Sequence, residues 1–462
     1  MEQSLSPTLV FASIVLLWIL AILIRPRNSV PLPPSPPADP IIGHLRMMPT
    51  DDQGTFFYEL SKKYGKVVYL WLPGRTMIII NSAQAAVDLL DKRSALYSDR
   101  PPSDVFMLMG WEETIAFFPY GERLRKHRKM INDYLRREKC KDYLPAQALE
   151  ARKLVENLAS TPERFLDHLS RFSAAIIIRI IYGHEVVSDN DYYVKIVTET
   201  AHCLRRLYLY HKSWNETLTV KYLPSWCPGT YPATQARSYR PIVDLMHTYP
   251  FEDVKTKTAN GTANDSFLRS HVEGLQKQGS AYPYPAKDIK GAAAAITNAG
   301  TDTTHATLMA FMLTMVLYPS IQAKAQEELD NWLDSGRLPD FDDRPHLPYL
   351  ECLLQETYRW HSVTPTGIPH KSTEDDIYNG MFIPKGSIIV ANTRGITLDE
   401  DVYKDPLTFD PSRYQRGEPH PIGHFGFGRR ICPGRFLADS SVWIAMATIL
   451  AIFNISPPMG HL

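Results

Sequence analysis

The chain has 462 residues, of which 44% are hydrophobic and 22% are charged, so it holds ample apolar material for a packed core. The chain has 50 lysine and arginine residues and 50 aspartate and glutamate residues, so its formal net charge is zero. The global charge therefore gives no attraction for nucleic acid or for an acidic substrate. The cysteines are far apart and form no CxxC pair, which excludes a disulfide framework and a zinc cluster. They are Cys140, Cys203, Cys227, Cys352 and Cys432.

The N-terminal segment Thr8–Ile24 is apolar and carries no charge. Its length reaches the short end of the range of about 17–25 residues that spans a bilayer. Arg25 and Arg27 follow, which predicts a single-pass anchor over residues 1–30 and a globular body on the cytoplasmic side. A cleaved signal peptide is the alternative, but it lacks support because no basic stretch precedes the span and no small-residue cleavage site follows it.

After the anchor, Pro31–Pro40 contains six prolines in ten residues, a stiff and extended run that predicts a hinge. From residue 41 to 462 there is no repeat and no second linker, which indicates one domain. Two strands are predicted at its start, over Val67–Leu72 and Met77–Ile80. The remainder has mostly helical patterns, including a long proline-free stretch between Pro285 and Pro319 that predicts a central core helix.

The segment Arg123–Lys141 carries nine Lys/Arg residues in nineteen. A solvated helix face is the simplest interpretation of this charge. A docking surface for an acidic protein partner is the alternative. Nucleic-acid binding is disfavoured, because the positive charge is local and is balanced by acidic residues elsewhere.

Near the C-terminus, the stretch FGFGRRICPG places Cys432 in a glycine-rich, basic loop. Such a thiolate can be a nucleophile, a zinc ligand, half of a disulfide or a haem ligand. No partner spacing supports zinc, and a nucleophile would need a base that the sequence does not identify. Glycines allow a tight turn whose amides point at one sulfur, and Arg430 adds charge that stabilises a thiolate or pairs with a haem propionate. These features favour haem.

The loop matches F-x-x-G-x-R-x-C-x-G, and it resembles the cysteine-ligand signature of the cytochromes P-450. Three further stretches resemble motifs of this family and follow in its order: AGTDTT at Ala299–Thr304, ETYR at Glu356–Arg359 and FDPSRY at Phe409–Tyr414. The resemblance covers almost the whole chain and is nearest to membrane-bound fungal secondary-metabolism members. It implies a mainly α fold with small β-sheets, in which a single haem domain follows an N-terminal membrane anchor.

By this resemblance, Cys432 is the axial ligand of the haem iron. Phe425 and Arg430 of the same loop contribute to haem binding, and Arg128 fits a helical propionate-binding position. His370 and Arg100 are weaker candidates for the propionates, and surface positions are the alternative for both.

The resemblance also assigns roles to two residues of the central helix. Thr303 is expected to hydrogen-bond dioxygen or a water at the haem, and Asp302 to relay protons from solvent. Gly300 is expected to permit local unwinding of the helix there. The alternative is an ordinary helix whose polar side chains bond to its own carbonyls.

Glu356 and Arg359 lie at i and i+3 on one helix face. The resemblance implies that they are buried and joined by Arg413, and that this trio holds the core beneath the haem.

The substrate is expected to be a hydrophobic small molecule, for example a terpenoid or polyketide-like skeleton, bound with dioxygen. The expected pocket is lined by residues 101–118, about 201–226, 292–299 and 363–368, including Phe106, Met107, Leu108, Met109, Trp111, Phe117 and Phe118. Ordinary core packing is the alternative for these side chains.

Electrons are expected from a separate NADPH-cytochrome P-450 reductase at the endoplasmic reticulum membrane, since no GxGxxG fingerprint lies where a strand–helix unit would need it. Family members usually continue for several dozen residues beyond the point corresponding to Leu462 and close one pocket wall with a strand pair. The sequence therefore predicts a monooxygenase with an open pocket or, as the alternative, a catalytically impaired haem-binding paralogue. A membrane-tethered interaction protein without haem is the third possibility.

Overall fold

The computed structural model describes residues 30–188, 190–210, 231–334 and 336–457, and it is mainly helical with two small sheets. This confirms the predicted fold class. The predicted membrane span at 8–24 lies outside the described residues. The helices are α1 (Gln53–Tyr64), α2 (Ala83–Ala86), α3 (Ser94–Tyr97), α4 (Asp104–Met109), α5 (Glu122–Leu135), α6 (Arg137–Cys140), α7 (Leu144–Ser160), α8 (Phe165–Tyr182), α9 (Tyr192–Tyr210), α10 (Tyr231–Ala259), α11 (Phe267–Gln278), α12 (Ala286–Leu317), α13 (Pro319–Trp332), α14 (Pro348–Trp360), α15 (Thr393–Thr397) and α16 (Arg435–Ile452).

The strands are β1 (Val67–Leu72), β2 (Arg75–Ile80), β3 (His370–Lys371), β4 (Asp376–Tyr378), β5 (Met381–Ile383) and β6 (Ile388–Ala391). A four-stranded sheet has the order β1-β2-β6-β3, and β4 pairs with β5 in a second sheet. Strand β2 pairs antiparallel with β1 and parallel with β6, with Met77 opposite Ile388. Both predicted strands are confirmed. The three isoleucines of β2, Ile78, Ile79 and Ile80, are buried because this strand is internal to the sheet.

The central helix α12 runs for 32 residues between the two prolines that the sequence predicted as its limits. Pro285 occupies its N-cap position, and Pro319 starts the next helix. The helix is continuous through Gly300 in this structure. A Cβ atom at this position would lie 2.7 Å from Cδ1 of Ile177 on α8, so a larger residue would require that side chain to shift.

The helix α16, which follows the cysteine loop, belongs to the core. It is the one helix among the described residues that is long and apolar enough to cross a membrane unbroken, but 67% of its apolar window is buried. Its Trp443 is completely buried within the main hydrophobic cluster. Because α16 packs between α7, α12 and α13, it holds the cysteine loop against the centre of the molecule.

The proline-rich run is extended, as predicted, but it is bound to the body. The amides of Tyr69 and Phe382 donate to the carbonyls of Pro34 and Pro31. His44 Nε2 lies 2.9 Å from the carbonyl oxygen of Pro36, and its Nδ1 accepts from the amide of Trp71. The run is therefore attached to both sheets and is a fixed junction rather than a free spacer.

Candidate active site

A cavity of about 340 Å³, measured as the space open to the centre of a water molecule, lies between α12 and the cysteine loop. Most of its wall is apolar. Ile131 of α5, Ile177 of α8, Ile296 of α12 and Leu437 of α16 lie on this wall. No carboxylate belongs to the described residues that line it. Such a cavity suits an uncharged apolar molecule.

The predicted pocket wall is correct in three of its four stretches. The residues from these stretches that face the cavity are Thr114, Ile115, Ala116, Ala295, Ile296, Ala299, Val363, Thr364, Gly367 and Ile368. None of residues 201–206 lines it, and the side chains of 207–210 and all of 211–226 lie outside the described part of the structure. The seven aromatic and apolar side chains expected from 101–118 do not line it either. Trp111 and Phe118 are buried in the protein, and Phe106 stacks on Phe117.

The cysteine loop folds back on itself through one backbone hydrogen bond, in which the Cys432 amide donates to the Phe425 carbonyl at 2.8 Å. Gly428 has φ +52°, and a Cβ atom there would lie 2.0 Å from the backbone oxygen of Leu90. No other residue type fits this position. The Arg128 guanidinium donates to the Ile431 carbonyl at 2.9 Å and ties the loop to α5.

The sulfur of Cys432 faces the cavity floor. Burial raises the pKa of this thiol, while the backbone amides of Gly434 and Arg435 and the charges of Arg435 and Arg128 act in the opposite direction. A Cβ atom on Gly434 would have the sulfur as its nearest neighbour, at 3.9 Å, so glycine leaves open space beside it. Two amides and two cations around one accessible sulfur are suited to a metal-bound thiolate.

Three guanidinium groups line the same cavity. Arg100 donates to the carbonyls of Ala116, Ile368 and Pro369. Arg430 donates to the carbonyls of Ser98, Ile115 and Phe118. Arg128 is the third. Among the described residues, none places a carboxylate within salt-bridge distance of these three groups.

The electrostatics of these cations are unfavourable without an anion. Burial lowers the pKa of Arg430 to about 10, and burial together with the charge of Arg430 lowers the pKa of Arg100 well below its ordinary value. Burial also lowers the pKa of Arg128. His370 completes the group. Its Nδ1 lies 2.7 Å from the Tyr97 carbonyl oxygen, and burial and the neighbouring arginines lower its pKa, so the ring is neutral.

These residues fit haem. The Cys432 thiol could serve as an iron ligand, and the buried guanidinium groups, which have no carboxylate at salt-bridge distance among the described residues, could pair with two propionates. All six predicted cofactor-binding residues lie on this one cavity: Arg100, Arg128, His370, Phe425, Arg430 and Cys432. The surface alternative for Arg100 and His370 is wrong, since both are buried.

The two predicted catalytic residues are placed differently. Thr303 lines the cavity, and its hydroxyl donates to the Ala299 carbonyl at 2.8 Å. Asp302 does not line the cavity; it forms an ion pair of 2.6 Å with Arg205 of α9 on the outer side of the helix. The pair is partly exposed. Thr303 is therefore placed to contact a bound molecule, and Asp302 to exchange protons with solvent.

The predicted structural trio of Glu356, Arg359 and Arg413 forms a buried charge cluster, the knot. Glu356 receives two hydrogen bonds from Arg359, of 2.7 and 2.8 Å, and a third of 3.1 Å from Arg413. All three side chains are almost completely buried. The remaining arginine donors reach the carbonyls of Thr397, Lys404, Pro406 and Thr408 and the carboxylate of Glu418.

Several cavity residues were not predicted. Ser173, Ile176 and Ile177 of α8 line it, although no motif marks them. The run around them is apolar on all sides, which signals only a buried helix. Leu124, which stands where the family usually has tryptophan, also lines the cavity.

Comparison with known proteins identifies the family. The cytochrome P450 family model matches residues 33–461. The cytochrome P-450 monooxygenase claR of Ampulloclitocybe clavipes is 37% identical over 97% of this chain and 84% of its own length. The tryptamine 4-monooxygenase of Psilocybe cyanescens is 35% identical over 93% of this chain and 87% of its own length.

A solved structure supports the fold. A zebra fish cytochrome P-450, determined with abiraterone, aligns with a TM-score of 0.73 over 88% of this chain and 93% of its own, at 23% identity. Together with the family match, the cysteine loop and its cavity lead to one conclusion: the chain belongs to the cytochrome P-450 family and is a haem-dependent monooxygenase.

Proposed function

We propose that this monooxygenase inserts one oxygen atom of dioxygen into an uncharged hydrophobic small molecule, in the biosynthesis of a terpenoid or polyketide-like secondary metabolite. The observation that carries the proposal is an apolar cavity with Cys432 on its floor and Thr303 on its wall. The relative from Psilocybe cyanescens is named for an amine. Because no carboxylate belongs to the described residues lining this cavity, an uncharged substrate is favoured over an ammonium ion here.

We assign roles to the residues as follows. The haem, when bound, supplies the activation of dioxygen. Cys432 would hold its iron, Arg100, Arg128 and Arg430 would donate to its propionates, and Phe425 would pack beside it. His370 would lie next to the propionates and would donate to them through Nε2 only when a bound propionate raises its pKa enough to protonate the ring. These contacts would orient the cofactor and exclude water from its edge.

Thr303 and Asp302 would handle protons. The hydroxyl of Thr303 donates its hydrogen to the Ala299 carbonyl, so its oxygen lone pairs can accept a hydrogen bond from a water in the cavity. Asp302 would take protons from solvent on the outer side of the helix, and it must leave Arg205 to pass them inwards.

The electron donor in this proposal is NADPH-cytochrome P-450 reductase. The basic segment 123–141 divides into two groups. Arg123 and Arg128 make internal contacts. Exposed cations remain on the outer face of this segment and on the cysteine loop, and they would meet an acidic partner; they are Arg125, Lys129, Arg136, Arg137, Lys141 and Arg429.

The membrane anchor is part of the same proposal. A span at 8–24 would hold the enzyme in the endoplasmic reticulum membrane with the haem domain in the cytoplasm. The proline-rich run, attached to both sheets, would fix the domain relative to that span.

The experiment is turnover in membranes that contain the full chain and the reductase, with NADPH, isotopically labelled dioxygen and a panel of terpenes and polyketides. We expect a product with one labelled oxygen. Thr303→Ala should retain the haem spectrum and lose product relative to NADPH consumed. Thr314→Ala is the matched control, because Thr314 also bonds to its own helix but does not line the cavity. A normal haem spectrum without product from any substrate would instead identify the impaired paralogue.

A further inference from the structure

The irregular segment 111–118 forms part of the cavity wall. Thr114, Ile115 and Ala116 face the cavity, and the segment lies between α4 and α5 without regular secondary structure. A segment of this kind keeps its shape only if side chains from neighbouring elements hold it. Two sets of contacts do so, one on the cavity side and one on the outer side.

The inner set consists of Arg100 and Arg430, which donate to the carbonyls of Ile115, Ala116 and Phe118. The same guanidinium groups are the proposed partners of the haem propionates. When they bind the cofactor, their donors are shared between the propionates and the segment. The contacts of the outer set then contribute more to holding segment 111–118 in place.

The outer set converges on Asp288, in the first turn of α12. Its carboxylate accepts a hydrogen bond of 2.6 Å from Arg123, which also pairs with Glu113 of the segment. His127 Nε2 lies 3.2 Å from the second oxygen of Asp288, and burial lowers the pKa of this histidine. The helix N-terminus favours a negative charge at this position.

The ring of Phe118 is enclosed by the same cluster. The Arg123 guanidinium lies 4.3 Å from the ring centroid, and the His127 ring meets it edge-on at 4.6 Å. Phe118 is buried and ends the segment. The cluster therefore holds the segment at both Glu113 and Phe118, on either side of the cavity-lining residues.

Gly291 brings the segment and the helix into direct contact one turn further along α12. A Cβ atom there would lie 2.4 Å from Glu113 Cβ and 2.5 Å from its carbonyl oxygen. Alanine would otherwise stabilise the helix by about 1 kcal/mol relative to glycine. The glycine thus permits Glu113 to reach Arg123 while its backbone rests on α12.

We propose that Asp288 is a positioning residue that, through Arg123 and His127, fixes segment 111–118 as a wall of the active-site cavity and thereby controls which molecules enter. The role extends the proposed function, because it concerns access to the same cavity. Its physical basis is that the nearly buried carboxylate of Asp288 accepts a hydrogen bond from the partly exposed Arg123 and lies beside the buried ring of His127, both on α5. When Asp288 loses its charge, Glu113 is the only carboxylate left beside Arg123, and the ion pair that joins Arg123 to α12 is removed.

The first test is hydrogen exchange of the full-length protein. Asp288→Asn keeps the shape and removes the charge, and we expect exchange of amides in 111–118 to rise about tenfold. Asp288→Glu should restore most of the protection. Glu122→Gln is the matched control, because Glu122 pairs with Lys126 on the exposed face of α5, the helix that carries Arg123 and His127, and should change nothing.

The second test uses two haem ligands of different size. Imidazole is small, and phenylimidazole requires room beside the segment. With Asp288→Asn and with Gly291→Ala, the association rate of phenylimidazole should change severalfold relative to that of imidazole. The two ligands report on the wall rather than on catalysis, so failure of the proposed substrate would not affect this result. Unchanged exchange in 111–118 and an unchanged ratio of the two rates would overturn the proposal.

Discussion

Two groups of buried charge in this molecule are satisfied in different ways: the trio Glu356, Arg359 and Arg413, and the arginines at the cavity edge. In the knot, Glu356 neutralises Arg359 and Arg413, and the remaining donors find carbonyls and one further carboxylate. At the cavity edge, Arg100 and Arg430 find only carbonyls. The first group is complete within the chain, whereas the second has no carboxylate at salt-bridge distance among the described residues, and the more distant Asp99 only partly offsets its positive charge.

This difference separates a structural role from a binding role. Burying a charge is costly unless an opposite charge or a full set of hydrogen bonds accompanies it. A complete group such as the knot contributes to a unique fold. An incomplete group marks the place where a ligand of the opposite charge would complete the structure, and we propose that this ligand is the dicarboxylate edge of haem. Substitutions in the group around Glu356 and among the cavity arginines should therefore have different effects.

The largest effect is expected for Glu356→Gln. This change leaves two fully buried guanidinium groups without their shared carboxylate, and the free energy of unfolding should fall by about 3–5 kcal/mol. Urea unfolding of the apoprotein, together with the soluble yield, measures this. Glu273→Gln is the control, because Glu273 pairs with Arg269 on a partly exposed helix face and should cost less than about 1 kcal/mol. Equal effects of the two changes would remove the distinction between knot and surface pair.

His271 gives a second comparison, because the charge of a buried histidine depends on pH. His271 is buried against aromatic rings, and burial lowers its pKa from 6.5 to about 4. The unfolded chain therefore takes up the proton first as the pH falls, and stability is lost between pH 6.5 and 4, by roughly 3 kcal/mol in full. His271→Gln should flatten this dependence in urea unfolding measured at several pH values. A variant with an unchanged slope would show that His271 does not titrate as its burial implies.

The cavity arginines should behave in the opposite way to the knot. Arg430→Met removes hydrogen bonds to three carbonyls but also removes a buried charge without a counter-ion, so the apoprotein should change by less than about 1 kcal/mol. Haem retention should weaken about tenfold or more, because a charge-assisted contact to a propionate is lost. Haem transfer to apomyoglobin measures the retention. A large loss of apoprotein stability with normal haem retention would assign Arg430 to the structural class.

The smallest effect on stability is expected for the partly exposed pair. Arg205→Ala frees Asp302, and an ion pair with this exposure contributes less than about 1 kcal/mol. The unfolding midpoint should barely move, while the coupling of NADPH consumption to product should change because Asp302 no longer has to leave a partner. The same coupling in wild type and variant, once a substrate is in hand, would argue against a proton route through Asp302.

The sequence predicted those features whose residues are close together or lie at fixed spacing. The cysteine loop, the trio around Glu356 and the two prolines that limit α12 are of this kind. It did not predict contacts between distant segments, such as Arg123 with Asp288, which are separated by 165 positions. It also misplaced the large side chains of 101–118. Burial in the protein interior removes more apolar surface of Trp111 and Phe118 from water than a position on the cavity wall would. The smaller residues between them line the cavity instead.

The most direct test of the account is a reduced carbon-monoxide difference spectrum of membranes that contain this chain, compared with Cys432→Ser. Wild type should give the Soret band of a thiolate-ligated haem, and Cys432→Ser should lose that band while the protein remains folded. Haem bound without a thiolate band in wild type, or the same band in both proteins, would contradict the assignment of Cys432 as the iron ligand.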